Sequence, residues 1–193
     1  MIQDYYYYDA SSSSNVSKYT TNNNSISYNS AEQAYLITHS TSTPRGILLN
    51  NATFTNQVKI TAKLKYNASV TNNQFGIGLH NGSSMAVIGK PIYAQNVNYY
   101  GMSIASNDLT SYGTDNGLVE LTSSDFNTTD WYTIELIINE TNITFKLYKE
   151  DTLVNTSTAT LSVLNSSGNK LAILTGFTTN NSIYLKDIKV KPL

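Results

Sequence analysis

The sequence predicts an all-β fold in which two antiparallel sheets pack face to face as a sandwich. Apolar residues alternate with polar ones in nearly every apolar segment, which is the pattern of a half-buried strand. About twelve such segments follow one another between polar turns, as in β-sandwiches and jelly rolls. The best helix candidate, residues 30–37, is short. We therefore predict one domain with a single core over residues 1–193.

Residues 1–25 are predicted to contain a first strand and a polar loop. Four consecutive tyrosines, residues 5–8, run into a serine tract. Side chains alternate across a strand, so the two odd-numbered tyrosines share one face and the two even-numbered ones the other. Only one pair can point outward, and the run is therefore not a four-ring binding platform.

The clearest alternation lies in residues 57–66. Apolar side chains occupy the even positions from Val58 to Tyr66, and lysines and a threonine occupy the odd positions between them. Residues 131–139 and 142–149 repeat this alternation, and the short polar connection between them suits a tight hairpin.

The remaining apolar segments complete the predicted sheets. Further strands are predicted at residues 34–40, 45–50, 74–81, 84–94, 98–106, 116–122, 151–161 and 169–177. Turns are predicted at Asn81-Gly82, Asn116-Gly117 and Ser167-Gly168-Asn169. In the closing segment, the apolar residues before Lys186 have odd numbers and those after Asp187 have even numbers. A β-bulge at these two residues would restore the alternation.

Five motifs follow one another in order along the chain. They are the opening Tyr-x-Asp strand with its Ser/Asp-rich loop, Val58–Tyr66, Phe75-Gly76-Ile77-Gly78-Leu79, the Asp130-Trp131-Tyr132 strand with its hairpin, and Ile183–Leu193. This order resembles the concanavalin A-like, or laminin G-like, jelly-roll superfamily over most of the chain. It is most similar to modules of surface adhesins and of phage or archaeal-virus tail proteins. The resemblance implies a concanavalin A-like jelly roll. In such modules the first and last strands often lie side by side, so it also implies that the first strand pairs with the C-terminal segment 182–193.

Composition narrows the range of functions. Charged residues are 13% of the chain and the net charge is −1, which argues against electrostatic capture of nucleic acid or of an anionic membrane. Cysteine is absent, so disulfides, thiolate metal sites and a cysteine nucleophile are excluded. The chain shows no signal peptide and no segment long enough to span a bilayer. We expect an excised domain or a virion component that reaches the outside by another route.

Asn, Ser and Thr together form about a third of the chain. N-x-[ST] sequons begin at Asn15, Asn23, Asn51, Asn67, Asn81, Asn127, Asn139, Asn142, Asn155, Asn165 and Asn180. Two interpretations stay open. One is AT-rich codon usage combined with β-turn chemistry, and the other is an extracellular surface protein with glycosylated loops.

The carboxylates do not reproduce the pattern of the enzymes in this superfamily. Its glucanases place carboxylates as E-x-D-x-x-E on one strand, and glycoside hydrolysis needs two carboxylates flanking the bond. Glu135 and Glu140 are five residues apart, so one strand would put them on opposite faces, and Glu120 and Asp125 have the same defect. The two histidines do not reproduce the elements of the related polysaccharide lyases. We therefore expect no enzymatic activity.

Calcium is the metal that the residue types allow, because it binds carboxylates and carbonyls rather than cysteine or clustered histidine. Pairing of the first and last strands would bring Asp4 or Asp9 near Asp187. Asp108 and Asp115 form a second acidic group, for which an Asx turn is the alternative. Laminin G-like domains often hold calcium at a rim loop, so the resemblance adds weight to a calcium site.

Residues 96–117 have the highest density of groups suited to a glycan, because aromatic rings stack on sugars and amides or carboxylates bind hydroxyls. The candidate ligand-binding residues are Tyr93, Asn98, Tyr99, Tyr100, Asn107, Tyr112 and Asp115. Tyr99 and Tyr100 point to opposite faces, so only one of them can belong to the core. We expect Trp131 to pack at the sandwich edge, with ligand stacking as the alternative.

These features predict a non-enzymatic extracellular recognition module. It would be an adhesin or a viral receptor-binding domain that contacts cell-surface glycan or a similar polymer at a cell or virion surface. We expect it to belong to a larger surface or virion protein, to bind no nucleic acid and to insert into no membrane. A polysaccharide hydrolase or lyase and a structural module that decorates a virion or surface stalk remain alternatives, since fold alone does not determine function.

Overall fold

The described part of the chain is entirely β-structure and turns. The computed structural model describes residues 6–8, 19–21, 24–39, 45–49, 52–66, 73–82, 86–93, 98–106, 111–121, 127, 129–176 and 181–193. None of these residues belongs to a helix that could cross a membrane. The strands are β1 Tyr6–Tyr8, β2 Tyr19–Thr21, β3 Asn24–Asn29, β4 Ala34–His39, β5 Arg45–Leu49, β6 Gln57–Tyr66, β7 Asn73–His80, β8 Ala86–Tyr93, β9 Asn98–Ser106, β10 Ser111–Leu121, β11 Tyr132–Asn139, β12 Asn142–Lys149, β13 Thr152–Thr160, β14 Lys170–Gly176 and β15 Asn181–Pro192.

The strands form two antiparallel sheets. Sheet A has the order β13-β12-β11-β6-β15-β4-β3, and β1 also pairs with β15. Sheet B has the order β10-β9-β8-β7-β14-β5-β2. One cluster of buried apolar side chains includes residues of both sheets, among them Phe145 of sheet A and Phe75 of sheet B. The predicted all-β, two-sheet sandwich is confirmed.

The core follows the alternation of the sequence. Every even-numbered residue of β6 from Val58 to Tyr66 is buried, and the same holds for the even positions of β11 and the odd positions Ile143 to Leu147 of β12. Each fully buried Leu, Ile or Phe side chain stabilises the fold by about 1.5–3 kcal/mol. Burial also raises the pKa of Tyr66 above its usual range, because a phenolate would lose its hydration there.

The first and last strands are neighbours, as predicted. Tyr6 pairs with Val190, Tyr7 with Lys189 and Tyr8 with Ile188 in an antiparallel ladder. The predicted bulge in β15 is also present, since its register against β6 shifts between Lys186 and Lys189. Asp187 has a φ of 54° at this shift. The extra residue lets the apolar side chains on both sides of the bulge face the core.

Two predictions about elements are wrong. β10 extends over Ser111–Leu121, so the strand predicted at residues 116–122 begins earlier and the predicted Asn116-Gly117 turn is inside it. Two register shifts against β9 accommodate this polar, glycine-containing segment. The strand count was too low, because β2 and β3 are short, polar strands that lack a clear apolar pattern. Residues 30–33 of the helix candidate form a turn, and β4 follows, as the strand prediction had it.

Candidate functional site

The predicted ligand-binding residues lie on three adjacent strands of sheet B. Tyr93 ends β8 and pairs with Asn98, which begins β9 and precedes Tyr99 and Tyr100. On β10, Tyr112 pairs with Ala105 and Asp115 pairs with Ser103. Asn107 lies outside the described residues.

The register separates these residues into two groups. Tyr99 is six residues along β9 from Ala105, the partner of Tyr112, and this corresponds to roughly 20 Å at the rise of a strand. Tyr93, Asn98, Tyr99 and Tyr100 therefore lie at one end of β9, and Tyr112 lies at the other. The sequence had suggested one compact site, because it did not reveal that residues 111–121 run back along β9.

The register also assigns the candidate positions to faces of sheet B. Met102 pairs with Gly89, which pairs with the buried core residue Ile77. Paired residues of neighbouring strands share a face of the sheet, so Met102 has a core-facing position. Tyr100 is two residues from Met102 and shares this core-facing parity, whereas Tyr99 has the opposite, outward parity.

Two further candidates share the outward parity of Tyr99. Asp115 and Tyr112 pair with Ser103 and Ala105, which alternate with Met102 along β9. Three predicted residues therefore occupy outward register positions of one sheet.

The middle of this outward side is closed. Ala172 of β14 pairs with Gly78 of β7, and Leu174 pairs with Gly76. These four residues therefore occupy outward positions in the middle of sheet B. Both Ala172 and Leu174 have 0% of their surface exposed. A ligand on the outward side of sheet B would therefore have to contact strands other than β7 and β14.

A second cluster, on the outward face of sheet A, was not among the predicted sites. Tyr184 pairs with Lys65 on adjacent strands, and the Lys65 Nζ lies 5.3 Å from the Tyr184 ring and 5.4 Å from the Trp131 ring. The Lys186 Nζ lies 3.8 Å from the centroid of the Trp131 ring. Glu32 receives an ion pair of 2.6 Å from Lys65, and its carbonyl accepts a hydrogen bond of 3.3 Å from Lys186.

Trp131 is half-buried in this cluster, between the two ammonium groups. Each cation–π contact stabilises the arrangement by about 0.5–2 kcal/mol. The contacts agree with the predicted packing role of Trp131, although its neighbours are charged side chains of the sheet surface.

The same face carries a concentration of lysines. Seven lysines occupy outward positions of β6, β12 and β15, namely Lys59, Lys63, Lys65, Lys146, Lys186, Lys189 and Lys191. The sequence showed that these lysines alternate with apolar residues. It did not show that β6 and β15, which are far apart in the sequence, are neighbours.

Three carboxylates partly offset this charge. Glu135 contacts Lys59 at 3.3 Å and Lys146 at 3.2 Å, Asp187 contacts Lys63 at 3.5 Å, and Glu32 contacts Lys65. Hydrogen bonding to Glu135 raises the pKa of Lys146. Lys186 differs, because desolvation lowers its pKa more than the nearby Asp187 and Glu32 raise it, with Lys63 and Lys65 adding to the lowering.

Comparison with known proteins gives matches in structure and none in sequence. No protein-family model and no curated protein match the chain. The CBM2 module of the evolved Dit of Lactobacillus casei BL23 phage J-1 superposes with a TM-score of 0.66 and 12% identity, over 96% of this chain and 93% of that one. The carbohydrate-binding module CBM66 from Bacillus subtilis gives 0.61 and 12%, over 90% and 95%.

A lectin-like structure shares the architecture as well. The exoplasmic/lumenal domain of VIP36, in its Ca2+/Man3GlcNAc-bound form, superposes with a TM-score of 0.62 and 14% identity, over 91% of this chain and 84% of that one. The chain is a concanavalin A-like β-sandwich. This confirms the fold that the order of the sequence motifs predicted, and identities this low support the fold alone.

The described part of this concanavalin A-like sandwich does not fit the predicted calcium site. Of the predicted group Asp4, Asp9 and Asp187, only Asp187 lies within this part, and its carboxylate contacts the Lys63 ammonium, beside Lys186. Of the second acidic group, Asp115 lies on β10 and Asp108 lies outside the described residues. No group of three or more potential metal ligands occurs among the described residues. Calcium needs several oxygen ligands rather than neighbouring cations. Asp4 and Asp9 lie outside the described residues.

The carboxylates considered for catalysis are also placed by the fold. Glu135 lies on β11 between two lysines, whereas Glu140 lies in the β11–β12 hairpin turn with a φ of 58°. Glu135 and Glu140 therefore do not lie on one strand. Glu120, on β10, pairs with Tyr99 of β9, and Asp125 lies outside the described residues.

Proposed function

We propose that this protein is a non-enzymatic extracellular recognition module that binds cell-surface glycan or a similar polymer. The observation that carries the proposal is the register of sheet B. It brings Tyr99, Asp115 and Tyr112 to outward positions of two adjacent strands. Aromatic rings that stack on sugars and carboxylates that accept hydrogen bonds from hydroxyls are the groups a glycan site needs.

The similar structures support the glycan as ligand class. Two of them are named as carbohydrate-binding modules, one of a phage and one of a bacterium, and the third contains bound Man3GlcNAc. The phage example favours an adhesin or a receptor-binding domain at a cell or virion surface. The separation of about 20 Å between Tyr99 and Tyr112 favours an extended polymer over a single sugar, because one sugar ring does not reach both ends of β9.

The proposal includes a calcium ion, with ligands other than Asp187. VIP36 is bound to Ca2+ in the compared form. Asp4 and Asp9 are the predicted ligands that the Lys63 contact does not involve. The binding test therefore includes an arm with a calcium chelator.

The decisive experiment is a glycan array and a whole-cell binding assay on the protein and two tyrosine variants, with and without EDTA. We expect Tyr99→Ala to weaken binding about tenfold, as loss of a stacking ring does, and to leave Tm nearly unchanged. Tyr100→Ala is the matched control, since it removes the same ring at the core-facing position. We expect it to lower stability by about 2–4 kcal/mol.

The two variants also decide between the alternatives. A fall in Tm for Tyr99→Ala equal to that for Tyr100→Ala would show that the outward assignment is wrong. Absence of any glycan signal above background would support the structural module instead. Turnover of a bound polysaccharide would contradict the non-enzymatic proposal.

A further inference from the structure

We propose that the outward face of sheet A is a second binding site, and that its ligand is an anionic polysaccharide carrying carboxylate or sulfate groups. This inference concerns a different sheet from the glycan site proposed above and does not depend on it. Three observations support it. Lysines face one another across adjacent strands, aromatic rings lie among them, and all the cations are lysines rather than arginines.

The face is strongly cationic in a chain that is nearly neutral. It holds seven of the 12 lysine and arginine residues, together with the three carboxylates Glu32, Glu135 and Asp187. The described residues of this face therefore have a formal charge of +4, in a chain whose net charge is −1. Lys59 and Lys63 have 37% and 48% of their side chains exposed, so a ligand in solution can reach them.

Two pairs of lysines face each other directly across β6 and β15. Lys63 pairs with Lys186, and Lys59 pairs with Lys191. Like charges at directly opposite positions destabilise a sheet, since their Cβ atoms are roughly 5 Å apart. Asp187 and Glu135 offset the charges of Lys63 and Lys59 in part, and Lys186 also contacts the Trp131 ring, so the repulsion is reduced but not removed. A ligand whose negative charges repeat along its length would relieve this repulsion.

The spacing suits an extended polymer. The two lysine pairs are four residues apart along β6, which is about 13 Å. Thr61 lies between them, paired with Lys189 on one side and with Glu135 on the other. Its hydroxyl and that of Thr133, which pairs with Lys63, are hydrogen-bonding groups of the kind that bind sugar hydroxyls.

Aromatic rings border the charged rows. Trp131 and Tyr184 both contact Lys65, and the Trp131 ring also contacts Lys186. An anionic sugar could therefore pair its charge with these ammonium groups while its ring packs beside the aromatic side chains. Neutral glycans would gain only the second of these contacts.

The cations favour a polysaccharide over a nucleic acid. All seven are lysines, and Arg45, the single arginine of the chain, belongs to β5 of sheet B. Arginine is the residue that recognises phosphate in a bidentate way, whereas lysine acts as a point charge. The Trp131 ring is also covered by the Lys186 ammonium at 3.8 Å, which leaves less of the ring for stacking of a nucleobase.

The test is a fluorescence titration of the protein with four probes at low and moderate salt. The probes are an oligogalacturonate, its methyl-esterified form, dextran sulfate, and a single-stranded oligodeoxynucleotide of the same net charge. We expect at least one of the two anionic polysaccharides to bind with a Kd that weakens steeply with salt. We expect the methyl ester, which keeps the sugar rings without their charge, to bind at least about tenfold more weakly.

Charge-matched variants locate the site. Lys63→Gln combined with Lys186→Gln is expected to weaken binding of the anionic probe about tenfold or more and to reduce the salt slope by about two. Lys90→Gln combined with Lys170→Gln removes the same charge from sheet B and should change the Kd by less than about twofold. Lys63→Arg combined with Lys186→Arg keeps the charge and should keep the binding, which guards against misreading a folding defect.

Several results would overturn the inference. They are no binding of either anionic polysaccharide, equal binding of the methyl ester, tighter binding of the oligodeoxynucleotide, or an equal loss in both glutamine variants. Tyr99→Ala should leave the Kd for the anionic probe unchanged. A loss there would place this ligand on sheet B, whereas failure of the glycan array with retained anionic binding would reject only the function proposed for sheet B.

Discussion

The buried side chain of Asn169 joins two loop segments of the sandwich. Its Nδ2 donates to the carbonyls of Phe54 at 3.2 Å and Asn165 at 2.7 Å, and its Oδ1 accepts from the Asn165 amide at 3.1 Å. The backbone of Asn169 also exchanges two hydrogen bonds with Phe54. Asn165 continues the network, because its Nδ2 donates to the carbonyl of Asn81 at 2.6 Å. The asparagine-rich loops are thus partly structural.

Asn169→Ala is expected to lower the free energy of unfolding by about 2–3 kcal/mol, since it leaves polar backbone groups of Asn165 without this partner. Urea denaturation at neutral pH measures the effect. Asn142→Ala, at an exposed position of β12, is the control and should cost less than about 0.5 kcal/mol. Equal losses in both variants would show that the Asn169 network adds nothing specific.

Two amide side chains in these loops also belong to sequons. Asn81 donates its Nδ2 to the carbonyl of Val163 at 3.1 Å, and Asn165 donates to Asn81. A turn role is therefore a sufficient reason for asparagine at both positions, as the codon-usage and turn-chemistry interpretation holds. The network leaves the question of glycosylation at the other sequons as it stood.

At the scale of elements, tight hairpins in sheet A place ordinary residues in left-handed backbone conformations. Glu140 in the β11–β12 turn has a φ of 58° and Glu150 in the β12–β13 turn has a φ of 54°. The pairing of Asn139 with Asn142 leaves a two-residue loop, which needs positive φ at its first residue. A side chain with a Cβ is strained there by about 1 kcal/mol.

Glu140→Gly is expected to raise the free energy of unfolding by about 0.5–1 kcal/mol, because glycine adopts this φ without strain. The Glu140 amide, which donates to the carbonyl of Asn56 at 2.8 Å, is retained in the variant. Thermal and urea denaturation both report the change. Glu140→Ala removes the same charge but keeps the Cβ, so it should give no gain. A gain of equal size in the alanine variant would assign the effect to charge.

β10 shows how tertiary context changes an element. Residues 111–117 contain Gly113, an Asp-Asn-Gly sequence and few apolar residues, which is typical of a loop. They nevertheless pair with β9 along an edge of sheet B, with two register shifts that absorb the irregular residues. Local sequence could not reveal this pairing, because the energy of the strand comes from its partner.

At the scale of the whole molecule, charge is segregated. Among the described residues, the outward face of sheet A takes seven lysines and three acidic residues, which leaves four cationic and six acidic residues elsewhere. The net charge of −1 conceals this division. A net charge of −1 therefore does not exclude an anionic partner at this face.

Salt should stabilise the protein. Screening by ions reduces the repulsion among the seven lysines more than it reduces the attraction between these lysines and Glu32, Glu135 and Asp187. We expect Tm to rise by about 1–3 °C between low salt and moderate salt. The rise should be smaller for Lys63→Gln combined with Lys186→Gln, as differential scanning calorimetry would show. A Tm that falls with salt would mean that the ion pairs of Glu135 and Glu32 outweigh the repulsion.

Alternation along the chain was sufficient to predict the two-sheet architecture, the buried rows of β6, β11 and β12 and the β15 bulge, whereas the pairing of β1 with β15 was predicted from the jelly-roll resemblance. The first three features follow from the period of two in side-chain direction, which is a local property of a strand. Alternation also predicted that Tyr99 and Tyr100 occupy opposite faces of their strand. Only the register showed which of the two positions is outward.

The tertiary structure decided which distant residues share a surface. It separated Tyr99 from Tyr112, extended the strand predicted at residues 116–122 back to Ser111 in β10, and set Asp187 beside Lys63. It also assembled the lysine rows of sheet A. The order of strands in a sheet depends on packing across the whole core, and alternation within one strand holds no information about which strand will lie beside it.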